Sequence, residues 1–179
     1  MTMVRALERA DWAAVEDIYR EGIEGGNATF ETETPTWDAF DGGKTRFGRL
    51  VAVNDTRAVV GWVAAAPVST RAAYRGVVEH SVYVASSAQG RGVGAALLRA
   101  FIAVAEMNGV WTVQSSVFPE NTASIRLHQA RGFREVGRRE RIARSLVGPW
   151  AGQWRDTLLI ERRSTMNGRT WPRSTPPVT

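Results

Sequence analysis

Glycines at positions 90, 92 and 94 separate a stretch of strand character, Val77 to Val84, from a helical stripe made by Ala96, Leu97, Ala100, Phe101 and Val104. The first backbone N–H groups of a helix have no partner within it, and at such a turn they point outward. Together with the helix dipole they form an anion site, and glycine removes the side chains that would hold a phosphate away. The run Gln89-Gly90-Arg91-Gly92-Val93-Gly94 therefore commits the middle of the chain to a strand–turn–helix unit of an α/β fold. A tight turn with glycines for steric reasons alone is the plain alternative.

The flanking sequence fits the same class. Thr2 to Leu7 reads as a strand, and Trp12, Val15, Ile18 and Tyr19 recur at helical spacing from Glu8 to about Ile23, with Asp11 in the first turn. Gly25-Gly26-Asn27 breaks that pattern, and Pro35-Thr36-Trp37-Asp38 opens a short second helix. Leu50 to Val53 and Val59 to Ala66 pair around Asn54-Asp55. After the glycine turn come a helix from Gly92 to Asn108, a strand from Trp111 to Val117 and a helix from Asn121 to Arg131. Strands near Phe133 to Ile142 and Gln153 to Glu161 bring the expectation to about seven strands and about four helices. Residues 1–163 are expected to form one domain. Residues 164–179, with Pro172, Pro176 and Pro177 and no periodicity, are expected to be a disordered tail.

Composition excludes several classes of function. The chain has no cysteine, which rules out disulfides, a thiolate nucleophile and cysteine–zinc sites. No metal site is expected. The N-terminal residues lack the apolar core of a signal peptide, and no stretch nears the roughly 18 apolar residues that span a bilayer. A soluble cytoplasmic protein without a membrane partner is expected. The net charge of +5 owes much to Arg131, Arg134, Arg138, Arg139, Arg141 and Arg144. No nucleic-acid motif accompanies them, so they read as a solvated strand face and an attraction for anionic small molecules.

Three kinds of phosphate site compete for the glycine turn. A P-loop needs Gly-Lys-Ser/Thr, and position 95 is Ala with no lysine nearby. Gly90-x-Gly92-x-x-Ala95 satisfies a loose dinucleotide pattern. That pattern also wants the first strand of its βαβ unit and an acid ending the next strand, where this chain has Ser115-Ser116-Val117. The third is the Gln/Arg-x-x-Gly-x-Gly/Ala loop of the GCN5-related N-acetyltransferase (GNAT) superfamily, matched by Gln89, Gly92 and Gly94. With Val78-Glu79-His80-Ser81-Val82-Tyr83-Val84 before it and Asn121 to His128 and Gly132-Phe133 after it, the chain resembles the phosphinothricin and methionine sulfoximine acetyltransferase branch over residues 3–163.

The resemblance implies a GNAT fold, a mixed sheet splayed around an acetyl-CoA site. It implies that Val82, Tyr83 and Val84 pair by main chain with the pantetheine arm, one backbone N–H polarising the thioester carbonyl. Gln89, Gly90, Arg91, Gly92, Val93, Gly94 and Ala95 would hold the pyrophosphate. Asn121 would contact the cofactor, with a plain helix N-cap as its other reading. Glu79 is implied as the general base that frees the amine lone pair, directly or through a water. His128 stands where many members place the tyrosine that protonates the departing thiolate; proton donation and substrate orientation both stay open for it. His80 faces the other way from Glu79 on a flat strand and reads as structural.

Phe30, Arg71 and Tyr74 match positions near the amino-acid substrate of the branch, and Arg75 is a second cationic candidate. A guanidinium suits a carboxylate or phosphinate. The implied reaction is acetyl transfer from acetyl-CoA to the amino group of phosphinothricin, methionine sulfoximine, methionine sulfone or a similar small molecule, in a homodimer. Acetylation of a protein N-terminus or a polyamine, and a non-catalytic CoA-binding module, are the alternatives.

Overall fold

The computed structural model describes residues 2–168. Seven strands form one mixed sheet in the order β1-β2-β3-β4-β5-β7-β6, with four α-helices against it. The strands are β1 (Met3–Ala6), β2 (Leu50–Val53), β3 (Val59–Pro67), β4 (Val77–Val84), β5 (Thr112–Val117), β6 (Arg134–Arg144) and β7 (Trp154–Arg163). The helices are α1 (Trp12–Glu24), α2 (Trp37–Gly43), α3 (Val93–Met107) and α4 (Thr122–Gln129). The expected α/β order is thus present throughout.

The apolar stripe of α3 explains its seat. Leu97, Leu98, Phe101 and Ala105 are wholly buried against the sheet. Each fully buried Leu or Phe contributes roughly 1.5–3 kcal/mol of hydrophobic stabilisation. On the α1 and α2 side an aromatic cluster fills the core: Tyr83 stacks on Trp62 at 4.7 Å between centroids, and Phe40 meets Trp62 edge-on at 5.5 Å. Thr36 caps α2, its hydroxyl accepting from the Ala39 N–H.

The register around β4 positions the site. β4 runs antiparallel to β3 over its length, from Gly61↔Val84 to Pro67↔Val78. Against β5 it is parallel and pairs only at Val77↔Thr112, Val78↔Val113 and Glu79↔Gln114. Beyond Glu79 the two strands part, because β5 follows β7 instead, as far as Val117↔Leu158. The sheet therefore opens as a fork whose crotch is Glu79.

The arginine-rich β6 is an edge strand with nearly every residue exposed, and its register against β7 shifts twice. Arg134 and Arg138 pair with Glu161 and Asp156 across it. Ser164 and Asn167 fall in the stretch expected to be tail. The Ser164 N–H nevertheless donates to the Trp111 carbonyl, and Asn167 Nδ2 donates to the carbonyls of Glu106 and Val110. Residues 169–179 of that expected tail lie outside the described residues.

Candidate active site

At the fork, the half-buried Glu79 carboxylate accepts from Gln114 Nε2 at 3.0 Å and from Ser116 Oγ at 3.2 Å. Ser116 Oγ in turn accepts from Arg139 Nη2 at 2.6 Å, while Arg139 Nε donates to Thr157 Oγ1. Neutral donors thus orient the carboxylate, and the Arg139 guanidinium reaches it through the Ser116 hydroxyl. An ionised carboxylate has about four acceptor sites, so two stay free for a proton or a water.

A cavity of about 420 Å³ opens on Glu79. Phe30 forms one wall and packs edge-on against Phe118 at 4.8 Å. Two cations line the same space, Arg139 and Lys44, the chain's single lysine. Burial lowers the Lys44 pKa, while the charges of Glu31 and Glu79 oppose that shift. Arg71 and Tyr74 lie elsewhere. Both are exposed at the short 3-10 turn between β3 and β4 and line neither cavity. Arg75 lies over the Trp111 ring at 5.4 Å. Sequence reasoning missed Lys44, Arg139 and Thr157. The solitary lysine was the one available signal, since Arg139 is hidden among six arginines.

A second groove, of about 520 Å³, runs along the other arm of the fork. Of the residues expected at a cofactor, Val82, Tyr83, Val84, Gln89, Gly90, Gly92, Val93, Gly94, Ala95 and Asn121 line it, and the exposed Arg91 does not. Gly90 and Gly92 have φ of 73° and 79°, a left-handed conformation that favours glycine. A Cβ at either would meet open space, so their backbone is accessible to a ligand in front of α3. The β5-facing edge of Ser81 to Val84 has no strand paired to it, the geometry an extended ligand arm would take up. These features fit a pantetheine pyrophosphate.

The two spaces share Ala28, Val82, Tyr83, Asn121 and Ser124. Asn121 is an N-cap, Oδ1 accepting from the Ser124 N–H at 3.1 Å, and its Nδ2 donates to the Asn27 carbonyl at 2.8 Å. Behind this junction lie two buried imidazoles. His80 does turn away from Glu79, as the strand period requires, but it meets His128, with their Nε2 atoms 2.9 Å apart. His128 Nδ1 faces the Ser124 carbonyl at 2.7 Å and Ser124 Oγ at 3.3 Å, and His80 Nδ1 faces the Gln114 carbonyl at 3.1 Å. Burial holds the pKa of both rings low. Both nitrogens of His128 thus have partners within the protein, and both rings border the first cavity.

The walls are held together by Arg155, which no local pattern singles out. Buried, it lies over Phe118 at 3.8 Å and Trp150 at 4.4 Å, and it donates to Gly26 O, Asn27 Oδ1 and Glu120. It thereby ties the loop after α1 to the loop between β5 and α4.

Residues 12–133 match the family model described as "Acetyltransferase (GNAT) family". The chain is 35% identical to a phosphinothricin N-acetyltransferase of Alcaligenes faecalis, over 94% of this chain and 86% of that protein. It is 30% identical to an L-methionine sulfoximine/L-methionine sulfone acetyltransferase of Salmonella typhimurium, over 88% of this chain and 92% of that protein. A solved GNAT superfamily phosphinothricin acetyltransferase from Sinorhizobium meliloti, in complex with acetyl-CoA, superposes with a TM-score of 0.83 at 28% identity. That match covers 98% of this chain and 96% of the other.

Proposed function

The chain belongs to the GNAT acetyltransferase family, in its phosphinothricin and methionine sulfoximine acetyltransferase branch, and on that premise we propose that it acetylates the amino group of a small amino acid or analogue, with Glu79 as general base. The observation that carries this reading is the place of Glu79: an oriented carboxylate at the crotch of the fork, in a cavity that joins the second groove at Val82 and Ser124.

An ammonium group has no lone pair, so the acceptor must lose a proton before it attacks. Glu79 accepts that proton, directly or through a water. Acetyl-CoA supplies the activated acyl group. The N–H groups before α3, from Gly90 to Ala95, hold its pyrophosphate. The free edge of Val82 to Val84 holds the pantetheine arm and aims one N–H at the thioester carbonyl. Lys44 and Arg139 take the acid group of the acceptor, the role the branch resemblance assigned to Arg71. Exposed Leu146 and Trp154 support a homodimer formed through the C-terminal hairpin.

Lys44 and Arg139, set opposite Glu79 and Glu31 in the acceptor cavity, favour an amino acid carrying both an amine and an acid group over a polyamine. The test is a panel of phosphinothricin, methionine sulfoximine, methionine sulfone, spermidine and short peptides, scored by CoA release. Turnover confined to the amino-acid analogues is expected. Turnover confined to peptides or spermidine contradicts the substrate class, and none at all contradicts the catalytic reading.

A further inference from the structure

We infer that Lys44 is a self-modification site: with acetyl-CoA bound and no acceptor present, the cavity acetylates its own lysine, and loss of that charge weakens recognition of acidic acceptors. The inference rests on the acetyl-transfer reading above. It follows from an amine of the chain itself lying in the space where that reading places an acceptor amine.

The cavity that opens on Glu79 is lined by Lys44, the chain's single lysine. Lys44 follows directly on α2, where the helix gives way to extended backbone at φ −104° and ψ 154°. The next N–H, that of Thr45, donates to the Ala65 carbonyl at 2.8 Å. In the register of β3 against β4, Ala65 lies opposite His80 and Ala66 opposite Glu79. Lys44 is therefore tethered one strand away from the fork, at the level of the proposed base. Its flexible stem carries the nitrogen from there into the cavity.

That nitrogen has no close counter-charge. Asp41, the nearest acid in the sequence, pairs with Arg46 and Arg49 instead. Among the described residues the Lys44 side chain makes no ion pair. Its contact with the Phe40 ring is long, 5.7 Å from Nζ to the centroid. Burial lowers its pKa and so raises the share of neutral amine, the form that attacks a carbonyl. Arg139, the other cation of the cavity, cannot compete, because a guanidinium stays protonated.

The reaction is the proposed transfer with the lysine in the acceptor's place. Glu79 takes one proton from the Lys44 ammonium and passes it to solvent. The neutral nitrogen attacks the thioester carbonyl and forms the carbon–nitrogen bond. The carbon–sulfur bond breaks with its electron pair on sulfur, and a second nitrogen proton goes to that sulfur. Acetyl-Lys44 and the CoA thiol result. Acetyl-Lys44 is neutral, so Arg139 alone remains for the acid group of an acceptor. An acceptor that occupies the cavity keeps Lys44 from the thioester, so the modification builds up when acceptor is scarce.

The full chain, incubated with acetyl-CoA and no acceptor, tests this by mass spectrometry. The expected result is one acetyl group added at Lys44. Trypsin cuts after Lys44 only while it is unmodified, so modification replaces the peptide 21–44 with the uncut peptide 21–46. Excess CoA, which competes for the donor groove, should slow the gain. The modified protein, like Lys44→Gln, should show a KM for phosphinothricin raised about tenfold or more, with the KM for acetyl-CoA unchanged. Lys44 left unmodified overturns the proposal, and turnover of phosphinothricin in that case leaves the acetyl-transfer reading standing. Acetylation at the same rate in urea-unfolded protein, or undiminished by excess CoA, marks solution chemistry and overturns it too. An unchanged KM for phosphinothricin after modification overturns the loss of recognition. Acetyl-Lys44 formed in a CoA-sensitive way, with no amine of the panel turned over, supports self-acetylation and counts against the assigned acceptors.

Discussion

Glu79 and Gln114 are the last residues paired between β4 and β5, and across that final rung the Gln114 side chain donates to the Glu79 carboxylate at 3.0 Å. One register position thus fixes both where the sheet opens and how its proposed base is aimed. Gln114→Leu should leave the fold intact and lower kcat several-fold, because Ser116 alone would then orient Glu79. Circular dichroism and steady-state kinetics check this together.

Arg139, in the acceptor cavity, and Arg71, outside it, separate the structural reading from the one the resemblance implied. Arg139→Ala should raise the KM for phosphinothricin about tenfold or more, the loss expected of a charge-assisted hydrogen bond. Arg71→Ala should change it less than about twofold, since Arg71 is exposed and outside the cavity. The reverse pattern contradicts the assignment of the acid group to Arg139.

Gly92 sits at φ 79° with open space beside it. Gly92→Ala should cost about 1–2 kcal/mol from backbone strain. That corresponds to a fall of roughly 2–8 °C in Tm for a chain of this size. The KM for acetyl-CoA should rise while the KM for the amine holds. Differential scanning calorimetry and a two-substrate kinetic series check both.

Arg155→Ala should destabilise the protein by about 2–3 kcal/mol, because it removes charge-assisted bonds to Gly26, Asn27 and Glu120 along with two ring contacts. Denaturant unfolding measures it. Activity should fall as well, since the loops that Arg155 ties together carry walls of both cavities.

Burial depresses the folded-state pKa of His80 and His128, whereas an unfolded histidine titrates near 6.5. Below about 6.5 the unfolded chain therefore binds more protons than the folded one. The stability due to the neutral rings is present above that pH. It is lost as pH falls below 6.5 toward the lower folded-state values, at up to roughly 1.4 kcal/mol per pH unit for each ring. Urea midpoints between pH 7.5 and 5 should fall more steeply for the wild type than for His80→Gln.

Much of this was legible in the sequence because it rests on local rules. The period of α3, the glycines at 90 and 92 and the cap at Asn121 each declare themselves within a few residues. The fork was not readable, because it depends on β7 entering beside β5 from about forty residues further along the chain. The same holds for Arg155, whose bonds reach back to Gly26 and Asn27. His80 shows the limit of a facing argument. Its turn away from Glu79 followed from strand geometry, but its meeting with His128 depends on how α4 packs. Arg71 and Tyr74 were read from resemblance alone, and the turn that bears them carries them away from the cavity.

The most direct measurement follows transfer of labelled acetyl from acetyl-CoA to phosphinothricin by mass spectrometry, for the wild type and Glu79→Gln, with binding of both ligands verified by calorimetry. The account predicts an N-acetylated product from the wild type and a rate at least about 100-fold lower from the variant, with binding retained. Equal rates would contradict Glu79 as the base; retained acetyl-CoA binding with no product from any amine would contradict the function itself.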